Sequence, residues 1–154
     1  MADLRSVMAY YIKTYPHKSE LSKARLTKMV YLADWKSALD RGRQLTDIKW
    51  KFNHYGPYVD DVHNLALEDR AFRVQQEQTM YGNPRGRIEL VDDNLEVNLS
   101  DDEKAILDHV ISETKKLGFD GFIKLVYSTF PVISGTKGRD LDLLAAAHTY
   151  RTLG

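Results

Sequence analysis

The chain has 154 residues, 43% of them hydrophobic and 29% charged, which suits one globular domain with its own core and excludes the disordered and fibrous classes. Lys plus Arg and Asp plus Glu both number 22, a formal net charge of zero that argues against a strongly basic nucleic-acid binder. With no cysteine, disulfides, thiolate zinc sites, iron–sulfur clusters and a cysteine nucleophile are all excluded. The charge is uneven along the chain: residues 1–50 carry 10 Lys/Arg against 5 Asp/Glu, and residues 51–100 carry 5 against 9. Such an asymmetry helps orient a partner without identifying it. No stretch approaches the roughly 18 apolar residues of a membrane span or the apolar core of a signal peptide, so a cytoplasmic protein is expected.

In chain order, Leu4, Val7, Met8, Tyr11 and Ile12 recur at helical spacing from Asp3 to Thr14, and Tyr15-Pro16 ends that run. A long second helix is expected from a Ser22 N-cap to a Gly42 C-cap. Leu26, Met29, Val30 and Ala33 form its inner stripe, and Leu32, Trp35 and Leu39 widen the apolar arc, as in a central helix with several neighbours. Ile48 to Phe52 alternates apolar and basic residues and reads as a short strand. Pro57 then suits the first turn of a helix whose inner face is Tyr58, Val59, Val62, Leu65 and Ala66.

The segment 71–91 reads as a small exposed hairpin turning at "GNPRG". Ser100 and Glu103 match a capping box before a helix with Ile106, Leu107, Val110, Ile111 and Leu117 on one face. Asp120 is expected to cap a short helix that stops before Pro131, and a last helix is expected over Asp140 to Thr152. The fold class expected is α+β, mainly α: a compact helical domain with a small β-hairpin or short sheet, in a single domain over residues 1–154.

The stretch "KFNHYGPYVDDVHN", residues 51–64, concentrates the residues that invite chemistry. His54, Asp60, Asp61 and His63 raise the possibility of a metal-dependent hydrolase, because imidazole and carboxylate are the usual zinc and iron ligands. In a helix starting at Pro57, however, only Asp60 and His63 share a face, and carboxylates in a first helical turn already interact favourably with its dipole. No Ser nucleophile sits in a G-x-S-x-G elbow. The glycine-rich basic loop Ser134 to Asp140 resembles an anion cradle, but lacks the Walker pattern. The basic stretch Lys13 to Lys36, with Lys18, Lys23, Arg25 and Lys28, is the best ground for a nucleic-acid-binding regulator, though its charges are spread around the helix. Nine tyrosines and two tryptophans point instead towards protein recognition, where a rigid apolar body with a polar tip is favoured. Trp50, Tyr55 and Tyr58 fall close together, with Trp50 the one expected in the core.

Three stretches resemble the Panacea, or SocA-like antitoxin, family. "LTKMVYLADWKSAL" from Leu26 is similar to its L-x-K-[LM]-x-Y-x-A-D helix, "LTDIKWKFNHYGPYVDDVHN" from Leu45 to its strand and Tyr-Gly-Pro step, and "LSDDEKAILDHVISETKKLGFDGFIKLVYSTFPV" from Leu99 to its later helices. Tyr55-Gly56-Pro57 is the most specific element. The resemblance implies an antitoxin without catalytic residues, cofactor or metal, in a bacterial or phage cytoplasm. Its partner would be a cognate toxin protein, neutralised by direct contact or by delivery to a protease machine. Relatives that carry an added DNA-binding domain are longer than this chain, so nucleic acid is not the expected partner, nor is a membrane. "SGTKGRDLDLLAAAH", from Ser134, departs from the family's typical sequence. On this reading Trp35, Tyr55, Gly56, Pro57, Tyr58, Asp61, Tyr127 and Arg139 form the toxin-binding surface or its scaffold.

Overall fold

A computed structural model describes residues 1–78 and 84–153. They form seven α-helices and two antiparallel two-stranded sheets, an α+β fold dominated by helix. The helices are α1 (Leu4–Thr14), α2 (Lys23–Arg41), α3 (Asp61–Glu68), α4 (Asp101–Thr114), α5 (Phe119–Tyr127), α6 (Phe130–Ser134) and α7 (Leu143–Leu153). The strands are β1 (Lys51–Asn53), β2 (Gly56–Tyr58), β3 (Phe72–Gln78) and β4 (Pro84–Leu90).

Helix α2 is the axis of the molecule. Ser22 Oγ accepts the Arg25 N–H at its start, and Gly42, at φ 72°, makes the left-handed C-cap at its end. A cap of the Ser22 kind contributes about 1 kcal/mol. The expected stripe is buried, and so are Arg25, Thr27, Lys28, Tyr31, Asp34 and Trp35, so the helix is enclosed nearly all round. It packs on α1, α3, α4, α5 and α7, on β2 and on β4. Asp3 caps α1 by accepting the Ser6 N–H at 2.8 Å, and Ser100 and Glu103 form the expected reciprocal capping box at α4.

The region after α2 departs from expectation. Pro57 does not start a helix: it lies in β2, buried opposite Phe52, and α3 begins at Asp61. The physical reason is Gly56, whose φ of 90° turns the chain back on β1 before any helical turn can form. Strand β1 is also shorter than Ile48 to Phe52, because residues 44–48 are held by side-chain hydrogen bonds of Gln44, Thr46 and Asp34 and not by a neighbouring strand. Its inward alternation is nevertheless present, with Ile48, Trp50 and Phe52 all buried.

The second hairpin is present with Phe72 opposite Leu90, and it contributes Phe72 and Ile88 to the core, more than an exposed flap would. Of its expected turn, Gly82 and Asn83 lie outside the described residues, while Pro84 to Gly86 belong to β4. Gly118, not Asp120, is the N-cap of α5. Pro131 sits in the first turn of a separate short helix, α6. The last helix starts at Leu143, preceded by Asp142, whose carboxylate accepts the Ala145 N–H.

Candidate functional site

The β1–β2 hairpin is built outward from the core. Asp34, on α2 and fully buried, receives four donors from the segment that leads into β1. Its Oδ1 accepts the Thr46 N–H at 2.8 Å, and its Oδ2 accepts Thr46 Oγ1 at 2.7 Å, Trp50 Nε1 at 2.8 Å and Gln44 Nε2 at 3.4 Å. Burial raises the Asp34 carboxyl to about 6 against the opposing pull of these hydrogen bonds. The signal in the sequence was a lone acid within an apolar arc, between Ala33 and Trp35. Trp50 meets Tyr31 edge to face at 5.5 Å, and Tyr31 Oη is 2.8 Å from Thr129 Oγ1, which links the same unit to the start of α6.

On this base the hairpin projects. Gly56 faces the Tyr127 ring so closely that a Cβ there would lie 3.3 Å from it. Residues 138–141 run along the other side of β1: the Gly138 N–H donates to Phe52 O, the Phe52 N–H to Arg139 O and the Leu141 N–H to Trp50 O, at 2.7–2.9 Å. The glycine-rich segment that resembles an anion cradle therefore spends these backbone groups on a third edge-strand pairing. At the tip, Tyr55 is 70% exposed, its N–H bound to Asn53 Oδ1 and its ring edge-on to His54.

The structure thus brings together Tyr55, Gly56, Pro57, Tyr58, Tyr127 and Arg139 around one hairpin. Tyr58 is half-buried and donates to Asp60, and that hydrogen bond, with burial second, pushes its phenol up to about 12. Asp61 is exposed at the start of α3 and shares an open polar cleft with Asp47, Lys49, Lys51, Tyr58 and Asp60. Trp35 stands apart: it is 8% exposed and packed edge to face on Tyr150 of α7. Helix α6 exposes Ile133, an apolar residue with no distinguishing signal in the sequence.

Two alternative chemistries fare poorly. Among the described residues no group of three His, Cys, Asp or Glu side chains is placed to hold a metal ion, and Asp60 is engaged by Tyr58. The basic stretch also loses two of its cations to the interior. Arg25 is 2% exposed, with Nη2 donating to Tyr15 Oη, Thr114 O and Leu117 O at 2.8–2.9 Å and the guanidinium 4.5 Å over the Phe122 ring. Lys28 is buried too, and desolvation lowers its ammonium to about 8. Lys18 turns its Nζ to the carbonyls of Lys13 and Tyr15. Charges used in this way form no phosphate-binding stripe.

A family model described as "Antitoxin SocA-like, Panacea domain" matches residues 26–130. The chain belongs to the SocA-like antitoxin family. No curated protein and no solved structure matches the chain significantly. The span matched to the SocA-like family contains the Asp34 network, the β1–β2 hairpin and Tyr127; Arg139 and the strand-like segment beside β1 lie beyond it. No helix among the described residues is long and apolar enough to cross a membrane.

Proposed function

We propose that this chain is a single SocA-like antitoxin domain over residues 1–154 that neutralises a cognate toxin by direct protein–protein contact in the cytoplasm, without catalysis of its own. The observation that carries the contact surface is Tyr55: a large aromatic, 70% exposed, on a turn whose backbone is held by Gly56 against Tyr127 and by residues 138–141 along β1. A turn whose backbone is already held before binding presents its aromatic with less loss of conformational entropy than a free loop would. Tyr58, on β2, Arg139, beside β1, and Asp61, at the start of α3, supply polar groups on the elements next to it. Trp35, Gly56, Pro57 and Tyr127 act as scaffold.

Neutralisation follows either from occluding the toxin or from carrying it to a protease, and both require the same contact. The test is co-expression with the toxin encoded beside it. The intact chain restores growth and is recovered in a complex; a Tyr55→Ala chain of unchanged fold does neither. Failure of the intact chain in both assays overturns the proposal.

A further inference from the structure

Among the described residues, strand β3 ends its sheet. It is 7 residues long, and its sequence, FRVQQEQ, contains neither proline nor lysine, the residues that usually blunt an open edge. The ladder with β4 fixes which backbone groups face outward. The Ile88 N–H donates away from β3, to Leu21 O, while Val91 N–H donates across to Ala71 O. Ile88 opposite Val74 is therefore a pair that exchanges no ladder bonds. By alternation the N–H and C=O groups of Val74, Gln76 and Gln78, with the Phe72 C=O, point to the open edge. The Phe72 N–H is already taken by Asp69 O. Gln75, Gln76 and Gln78 are exposed beside this row.

We propose that this edge pairs with the β3 edge of a second copy of the same chain, antiparallel about a two-fold axis through Gln75, to give a continuous four-stranded sheet. Two features of β3 select that occupant. The first is register: the outward groups of Val74 meet those of the second Gln76, and Gln76 meets the second Val74, so the free donors and acceptors satisfy one another. The second is charge. The face that carries Arg73, Gln75 and Glu77 is already an alternating ladder inside each chain, with Arg73 on Glu89 at 2.6 Å and Arg85 on Glu77 at 2.6 Å. In the two-fold register Arg73 stands opposite the second Glu77. Across four strands the row then reads Glu89, Arg73, Glu77, Arg85, alternating in sign throughout, and the row of opposite polarity is its symmetry mate. Gln75 meets its own copy, an amide pair without charge conflict. This inference is independent of the toxin-contact reading, since β3 carries none of the hairpin residues around Tyr55.

The absence of cysteine from the chain makes a direct test available. In the proposed register the two Gln75 residues form a pair without ladder bonds, with Cα atoms about 4.5 Å apart, a spacing that a disulfide accepts. Gln76 meets its own copy only diagonally. We expect the unmodified protein to show a concentration-dependent dimer in sedimentation equilibrium that weakens with added salt, because its charge ladder is exposed. Under mild oxidation Gln75→Cys should cross-link about tenfold faster than Gln76→Cys. Val74→Pro removes an outward N–H that the internal ladder does not use, so it should abolish the dimer and leave the fold intact. A monomer at every concentration, or equal cross-linking of the two cysteine variants, overturns the proposal. So does β3 amide protection that appears only in a complex with a toxin, which would assign the edge to that partner.

Discussion

Trp50 donates its indole N–H to Asp34 Oδ2 at 2.8 Å, and neither side chain has more than 1% of its surface exposed. Through this bond and those of Thr46, the acid on α2 fixes the path of the chain into β1. It does so as a buried carboxylate whose neighbours are hydrogen-bond donors without positive charge, which is why burial outweighs the hydrogen bonds and lifts its pKa to about 6.

A pH dependence follows from that pair. The folded state holds the Asp34 proton more tightly than the unfolded state, whose carboxyl titrates near 3.8. The contribution of Asp34 to stability is therefore greatest below that value and is lost as pH rises through about 6. The shift corresponds to about 3 kcal/mol at one pKa unit per 1.36 kcal/mol. Thermal melts of wild type and Asp34→Asn between pH 4 and 7 should show the wild type losing ground against the variant up to about pH 6. The difference should then level off. A difference that stays constant with pH would contradict the assignment.

Arg25 closes the far side of α2 by filling the C-terminal end of α4. Its Nη2 bonds to Thr114 O and Leu117 O place positive charge against carbonyls at and just beyond the C-terminal end of that helix. Arg25→Ala takes a charged donor from Leu117 O, Thr114 O and Tyr15 Oη, leaving Thr114 O with only the Leu117 N–H and the Tyr15 hydroxyl, and opens a void under Phe122, so a loss of about 3–5 kcal/mol is expected in urea unfolding. Arg25→Lys retains the charge without the fork and should lose less, about 1–3 kcal/mol.

Gly56 is where conformation and packing coincide, since its left-handed φ of 90° and the Tyr127 ring both oppose a side chain. Gly56→Ala is expected to cost about 1–2 kcal/mol from the backbone alone. Because the added Cβ would press on the Tyr127 ring that braces the turn, toxin binding should weaken in calorimetry by more than this stability loss would predict for a chain that remains folded. Gly42→Ala, also left-handed but with nothing within 4 Å of the added carbon, serves as the control that lowers stability without touching binding.

The parts of the fold that depend on short-range chemistry could be read from the sequence. The ends of α2 follow from Ser22 and Gly42, and the start of α4 from Ser100 and Glu103, because each cap is made within a few residues. The β1–β2 hairpin could not be read in this way. Pro57 is compatible with both a helix start and a strand, and the choice is made by Gly56 against Tyr127 and by residues 138–141 along β1, contacts that join distant parts of the chain. The same distance hid Asp34, whose donors come from residues 44–50, and Arg25, which looked like surface charge until α4 and α5 closed over it. Of the candidate site, the cluster around Tyr55 was visible through the Tyr-Gly-Pro step, whereas the burial of Trp35 under Tyr150 depends on α7.

The central claim is that Tyr55 on its braced turn contacts the toxin. It is tested most directly by the affinity of the purified chain, with and without Tyr55→Ala, for the toxin encoded beside it. The account predicts that the intact chain binds. It also predicts that Tyr55→Ala, at an exposed position and with an unchanged melting temperature, binds about thirtyfold more weakly, equivalent to about 2 kcal/mol. Equal affinity of the two chains would contradict it.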